Sequence, residues 1–109
     1  MAPLFALKDI RGTCYEYLSD IVRFEAQGGY TLVFLSNNKQ GTKESGCLKH
    51  HFERVKNSNL FCHIHKSHVI NINYVKRIDD NGHVTLRDGT ELPVSPHEME
   101  HLKSMLPAC

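Results

Sequence analysis

Apolar and polar positions along the chain trade places with the short period of strands over most of its length. Leu4-Phe5-Ala6-Leu7-Lys8-Asp9-Ile10 is an apolar run that stops at Arg11-Gly12, a turn signal. Residues 13–18 alternate and carry β-favouring Thr13, Tyr15 and Tyr17, so the two runs predict a hairpin. Residues 21–26 and the β-branched, aromatic run 30–35 predict the next two strands, broken at Gln27-Gly28-Gly29. Residues 36–46 are polar and contain glycine, which predicts a hairpin region with a weak strand inside it.

The period then changes. Leu48, Phe52 and Val55 stand at i, i+4 and i+7, which predicts a short helix exposing Lys49, His50, Glu53, Arg54 and Lys56. Asn57-Ser58-Asn59 ends it. Residues 60–64 read as a strand, and residues 69–75 are ambiguous because Asn71 and Asn73 interrupt a β-rich run. A meander follows over residues 75–94, with Asn81-Gly82 and Asp88-Gly89 as type I′ turn signals. Ser95, Pro96 and Glu98 spell a capping box with proline at the first helical position, so a C-terminal helix is expected. The chain is mostly β, with one short internal helix and one C-terminal helix.

Composition adds little until it is divided along the chain. A chain of 109 residues with 40% hydrophobic and 23% charged positions is that of one soluble domain. No apolar run approaches the ~20 residues of a membrane helix, and no secretory signal opens the chain, so a cytoplasmic protein with no membrane partner is expected. The formal charge is +1, yet residues 42–77 hold seven Lys or Arg against two acids, a net +5, leaving −4 elsewhere. Five of the eight histidines fall in that basic segment. A one-sided electropositive surface follows. Cys14, Cys47, Cys62 and Cys109 form no C-x-x-C pair, so reduced thiols are expected rather than a metal ribbon.

Phe61-Cys62-His63-Ile64-His65-Lys66-Ser67-His68-Val69-Ile70-Asn71-Ile72 is the most specific stretch. It resembles the F-x-R-I-H-R-S-x-I-V-N-L core of the LytTR family, the DNA-binding output domain of many bacterial response regulators. Asp20-Ile21-Val22-Arg23-Phe24-Glu25-Ala26 with Gly29-Tyr30-Thr31 is similar to the family's D-I-x-x-I-E-A and N-Y-T segment. Val75-Lys76-Arg77-Ile78 is similar to Y-I-x-x-I, and Gly89 with Leu92-Pro93-Val94-Ser95 to G-x-x-L-P-V-S-R. The likeness runs from about residue 5 to residue 106 of a single domain, residues 1–109, with no receiver domain in it.

The resemblance implies an elongated fold of small, mainly antiparallel sheets packed side by side, with loops at one edge entering successive major grooves. By residue-wise matching, Tyr30, Lys66 and His97 would carry base or backbone contacts, flanked by His65 and Ser67. His63, Lys49, Arg54, Lys76 and Arg77 complete the expected DNA-binding set. Asn71 reads as structural, tying a turn to backbone. The family often has arginine where this chain has His63, Lys66 and Pro96 or His97, so the operator sequence does not carry over. The resemblance also implies pairing on two direct-repeat half-sites of duplex DNA with weak association off it. A receiver domain would be a partner if the chain is an excised output domain. No cofactor is implied.

Other readings compete. His97-Glu98-Met99-Glu100-His101 fits H-E-x-x-H, but only eight residues follow it, too few for a downstream ligand and a cleft. Cys62, His63, His65 and His68 could gather a metal, against which stands a basic strand edge with Cys62 in the core. Tyr15, Tyr17, Phe24, Phe34, Phe52 and Phe61 read as core. A protein-interaction module whose basic face binds an acidic partner is the alternative of a different class.

Overall fold

The structure is a computed structural model and describes residues 3–109. Its elements, in order, are β1 (Leu4–Asp9), β2 (Gly12–Tyr17), β3 (Ile21–Gln27), β4 (Tyr30–Leu35), β5 (Asn38–Ser45), α1 (Leu48–Val55), β6 (Phe61–His65), β7 (His68–Asn71), β8 (Val75–Ile78), β9 (His83–Leu86), β10 (Glu91–Pro93) and α2 (Pro96–Ser104). They form three sheets: β1-β2, β10-β9-β8, and a central β5-β4-β3-β7-β6. Neighbouring strands are antiparallel throughout. The molecule measures 44 × 33 × 24 Å along its principal axes, so it is elongated.

Both faces of the central sheet are covered, which makes two cores. On one face Ile21, Phe24, Val33, Leu35, Phe61 and Val69 pack under Phe5 and Leu7 of β1 and Leu48 and Val55 of α1. On the other, Val22, Cys62, Ile64 and Ile70 meet Val84 and Leu86 of β9, Leu92 of β10, Val94 just after it and Leu102 of α2. A register break between Ile21 and Arg23 shifts the alternation of β3, so Ile21 and Phe24 share the first face while Val22 serves the second. Each large side chain fully buried here contributes about 1.5–3 kcal/mol. The central sheet is therefore a stiff plate, and its ends are where turns can project.

Asn71 bears out its structural reading. It is fully buried; its Nδ2 donates to the Ile21 carbonyl at 2.9 Å and its Oδ1 accepts from the Asn73 N–H at 3.0 Å. That bond starts the 3-10 turn Ile72–Tyr74, which resolves the ambiguous run into β7, a turn and β8.

Several local expectations are corrected. The polar stretch after β4 does turn back as a hairpin, but its strand is a full eight residues, β5, because as a sheet edge it needs few apolar positions. Tyr15 and Tyr17 are 65% and 52% exposed, since only the Phe5–Leu7 side of the hairpin faces the core. Positive φ occurs at Gly82 and Gly89 but not at Asn81 or Asp88, so neither turn is type I′. Instead Asp79 Oδ1 accepts from the N–H of both Asn81 and His83 at 2.9 Å and organises a longer loop. The capping box does not close either. The Ser95 N–H that Glu98 would cap is already donated to the Ile64 carbonyl at 2.8 Å, and Ser95 makes no side-chain cap.

Candidate nucleic-acid interface

One end of the central sheet collects four segments. The β3–β4 turn, Gly28-Gly29, delivers Tyr30; φ is +62° at Gly28, which suits glycine at the first central position of a II′ turn. Beside it lies the β6–β7 turn, Lys66-Ser67, tied across by the Ala26 N–H donating to the Ser67 carbonyl at 2.9 Å. On the other side Ser45, the last residue of β5, stands opposite Tyr30, and Thr31 Oγ1 donates to the Gly46 carbonyl at 3.0 Å, fixing the approach to α1. The fourth segment is the start of α2, held at the end of β6 by the Ser95–Ile64 bond.

Tyr30, Lys66 and His97 are thus attached to one rim. Lys66 and His97 are exposed; Tyr30, His65 and Ser67 are half-buried. Lys43 sets its ammonium 4.2 Å from the centroid of the Tyr30 ring. Lys49 is exposed on the first turn of α1, the part of the helix that starts from the rim.

A family model for the LytTr DNA-binding domain matches residues 12–107. The chain belongs to that family. It is 27% identical over 94 residues to the heme-containing CO-sensing transcriptional regulator RcoM 1 of Paraburkholderia xenovorans, covering 82% of this chain and 34% of that one. The chain therefore spans 34% of that relative's length. The LytTr DNA-binding domain of a methyl-accepting/DNA response regulator from Bacillus cereus matches with a TM-score of 0.73 at 21% identity, covering 96% of this chain and 97% of that one. That likeness shows the fold.

Within this LytTr domain the remaining expected positions are dispersed. Arg54 is engaged internally, donating to the Ala6 carbonyl at 2.9 Å and to His51 Nδ1 at 3.1 Å. His63 packs on Phe52, ring centroids 5.4 Å apart, and its Nε2 is enclosed without a partner. Lys76 and Arg77 are exposed on β8, an edge of the three-stranded sheet, rather than on a turn of the rim.

Behind the rim the charges are tied up. Arg23 donates to Glu25 at 2.8 Å and lies over the Phe34 ring at 3.8 Å. His68 faces the same carboxylate at 3.7 Å, and burial holds its pKa below the ordinary value despite the pull of Glu25. Burial, then Glu98, pushes the Cys62 thiol up to about 11, which leaves it inert. No cluster of three or more His, Cys, Asp or Glu side chains suited to a metal forms among the described residues.

His51 was not visible as a functional position. It is 2% exposed, with Nε2–H donating to the Ser45 carbonyl at 2.9 Å and Nδ1 accepting from Arg54. It pins the rim end of β5 to α1. Its place three residues after Leu48, on the same helical stripe, was the available signal.

Proposed function

We propose that the domain binds duplex DNA sequence-selectively as the output module of a transcriptional regulator, its rim turns reading successive major grooves. One observation carries the reading: four segments bearing Tyr30, Lys49, Lys66 and His97 open from the same end of one rigid sheet. A tight turn fits a groove about 12 Å wide, where base edges are distinguishable. Lysines at its margin neutralise phosphates and release counterions, setting register while a few side chains select sequence. His65 and Ser67 belong to the same reading surface. Lys76 and Arg77 would extend phosphate contact along the β8 edge, whereas Arg54 and His63 support the scaffold. The module acts in a two-component-type system in the bacterial cytoplasm, paired on direct-repeat half-sites and weakly associated off DNA. A receiver domain is its partner where it forms part of a longer chain.

Selection from a pool of random duplexes, sequencing, and footprinting of the winner under heparin competition test this. The expected result is an enriched motif in two direct repeats and a footprint that survives heparin. Binding that heparin abolishes, with no enriched sequence, would instead indicate a general polyanion face for an acidic partner.

A further inference from the structure

We propose that His65 meets the duplex as a neutral imidazole, its outward Nε2–H a fixed donor to a base-edge acceptor. The assignment rests on the DNA-binding reading above and gives one rim residue a defined chemical role.

The geometry lies in the turn itself. His65 and His68 face each other across a two-residue connection, Lys66-Ser67. Neither Lys66 nor Ser67 has positive φ, so the connection is not one of the primed turns whose twist suits a hairpin. Other bonds hold it. The Ser67 N–H donates to His65 Nδ1 at 3.1 Å, and the Ser67 carbonyl accepts from the Ala26 N–H at 2.9 Å. The rings of His65 and His68 lie 5.4 Å apart.

A nitrogen that accepts an N–H has its lone pair there, and a neutral imidazole carries one proton, so that proton sits on Nε2. Nε2 is bonded by no described residue and is not among the enclosed, unpaired atoms. It is a donor whose direction is set by the backbone of the turn that presents Lys66. A second proton on Nδ1 would face the Ser67 N–H donor to donor, and the turn would have to release it. The groups around His65 are Lys66 on its own turn and His68 across the pair, with Glu25 and Arg23 behind it; from the side of α2, Ser95 bonds the adjacent Ile64 carbonyl.

A neutral donor has no net charge to attract phosphate, which the lysines already do. What it adds is direction. Acceptors of matching chemistry in the major groove are guanine O6 and N7, adenine N7 and thymine O4.

Two variants separate the nitrogens. His65→Asn keeps an acceptor near the place of Nδ1 and loses the outward donor; His65→Gln keeps an outward N–H and loses the inner acceptor. Nitrogen NMR of the imidazoles in the free protein near neutral pH should show the Nε2–H tautomer at His65. On the selected duplex, His65→Asn should bind at least ~10-fold more weakly, at an unchanged salt slope and with the loss confined to one base pair. His65→Gln should bind several-fold better than His65→Asn. An Nδ1–H tautomer, an imidazolium at neutral pH, a reduced salt slope in His65→Asn, or equal or better binding by Asn than Gln overturns the proposal. If no duplex is enriched, the DNA reading falls and the base contact with it, while the tautomer spectrum still judges the His65–Ser67 lock.

Discussion

Arg54 sits over Phe5, its guanidinium carbon 3.8 Å from the ring centroid, and from there donates to the Ala6 carbonyl at 2.9 Å. One side chain at the end of α1 thus clamps the first strand onto the core. Replacing it by alanine removes a stacked cation and a charged hydrogen bond and leaves His51 Nδ1 unpaired. The expected loss is about 1–3 kcal/mol of stability. Urea unfolding of Arg54→Ala should show it, with operator affinity of the folded variant within about threefold of the parent. Lysine will not rescue, because an ammonium cannot stack and fork in this way.

Acid should unfold the domain through its buried imidazoles. Burial is the main cause holding His51 and His68 below the ordinary 6.5. The unfolded chain then binds more protons between the depressed native values and 6.5, so stability rises with pH through that window and levels off above it. The urea midpoint measured from about pH 5 to 8 should climb and then flatten. His51→Gln should reduce the climb; a midpoint independent of pH in the parent would contradict the burial of both rings.

Lys66 is exposed at the tip of the β6–β7 turn, where it supports little of the fold. Lys66→Ala should keep its thermal midpoint and lose about 1–3 kcal/mol of operator binding if its ammonium meets a base edge. If it meets phosphate, the loss is smaller and the salt slope falls by about one. Gel-shift titrations at several salt concentrations distinguish these, and unchanged affinity would remove Lys66 from the reading surface.

Asn71 should tolerate almost nothing. Alanine there strands the Ile21 carbonyl in the interior, releases the Asn73 N–H that starts the turn and opens a cavity, costing about 2–4 kcal/mol. Aspartate keeps the acceptor for Asn73 but turns a carboxylate oxygen toward the carbonyls of Ile21 and Leu18, and should be no better. Circular dichroism melts of both variants check this.

Alkylation should rank the cysteines. Cys62 is buried with its thiol pushed up to about 11, so native protein should take up label at Cys14, Cys47 and Cys109 and accept a fourth label only when unfolded. Cys14 should lag behind Cys47, because its bond to Glu16 raises its pKa. Mass spectrometry of timed digests reads the order directly.

Strand alternation and the heptad-like spacing of Leu48, Phe52 and Val55 made nearly every element visible before the structure, because burial on one face writes itself as a period. The misreadings share a cause. β5 is held by backbone pairing to β4 and by Glu44, whose Oε1 accepts from the Lys8 N–H at 2.9 Å, a contact 36 residues away that no local pattern records. The capping box failed for a similar reason, since Ile64 takes the N–H of Ser95 from a distant strand. At the rim, the turn tips were legible from motif and charge. The buried partners that aim them, His51 above all, were not, because a histidine satisfied by backbone looks polar in sequence.

The first strand has a practical consequence for anyone cutting the gene. The family match begins at residue 12, yet Phe5 and Leu7 roof the core beneath α1. A fragment trimmed to the match would lose two members of that core, take Phe5 off the ring of Phe24, and shed the anchor points of Arg54 and Glu44. Expression boundaries should therefore be drawn ahead of Leu4, on pain of a sticky, half-roofed product.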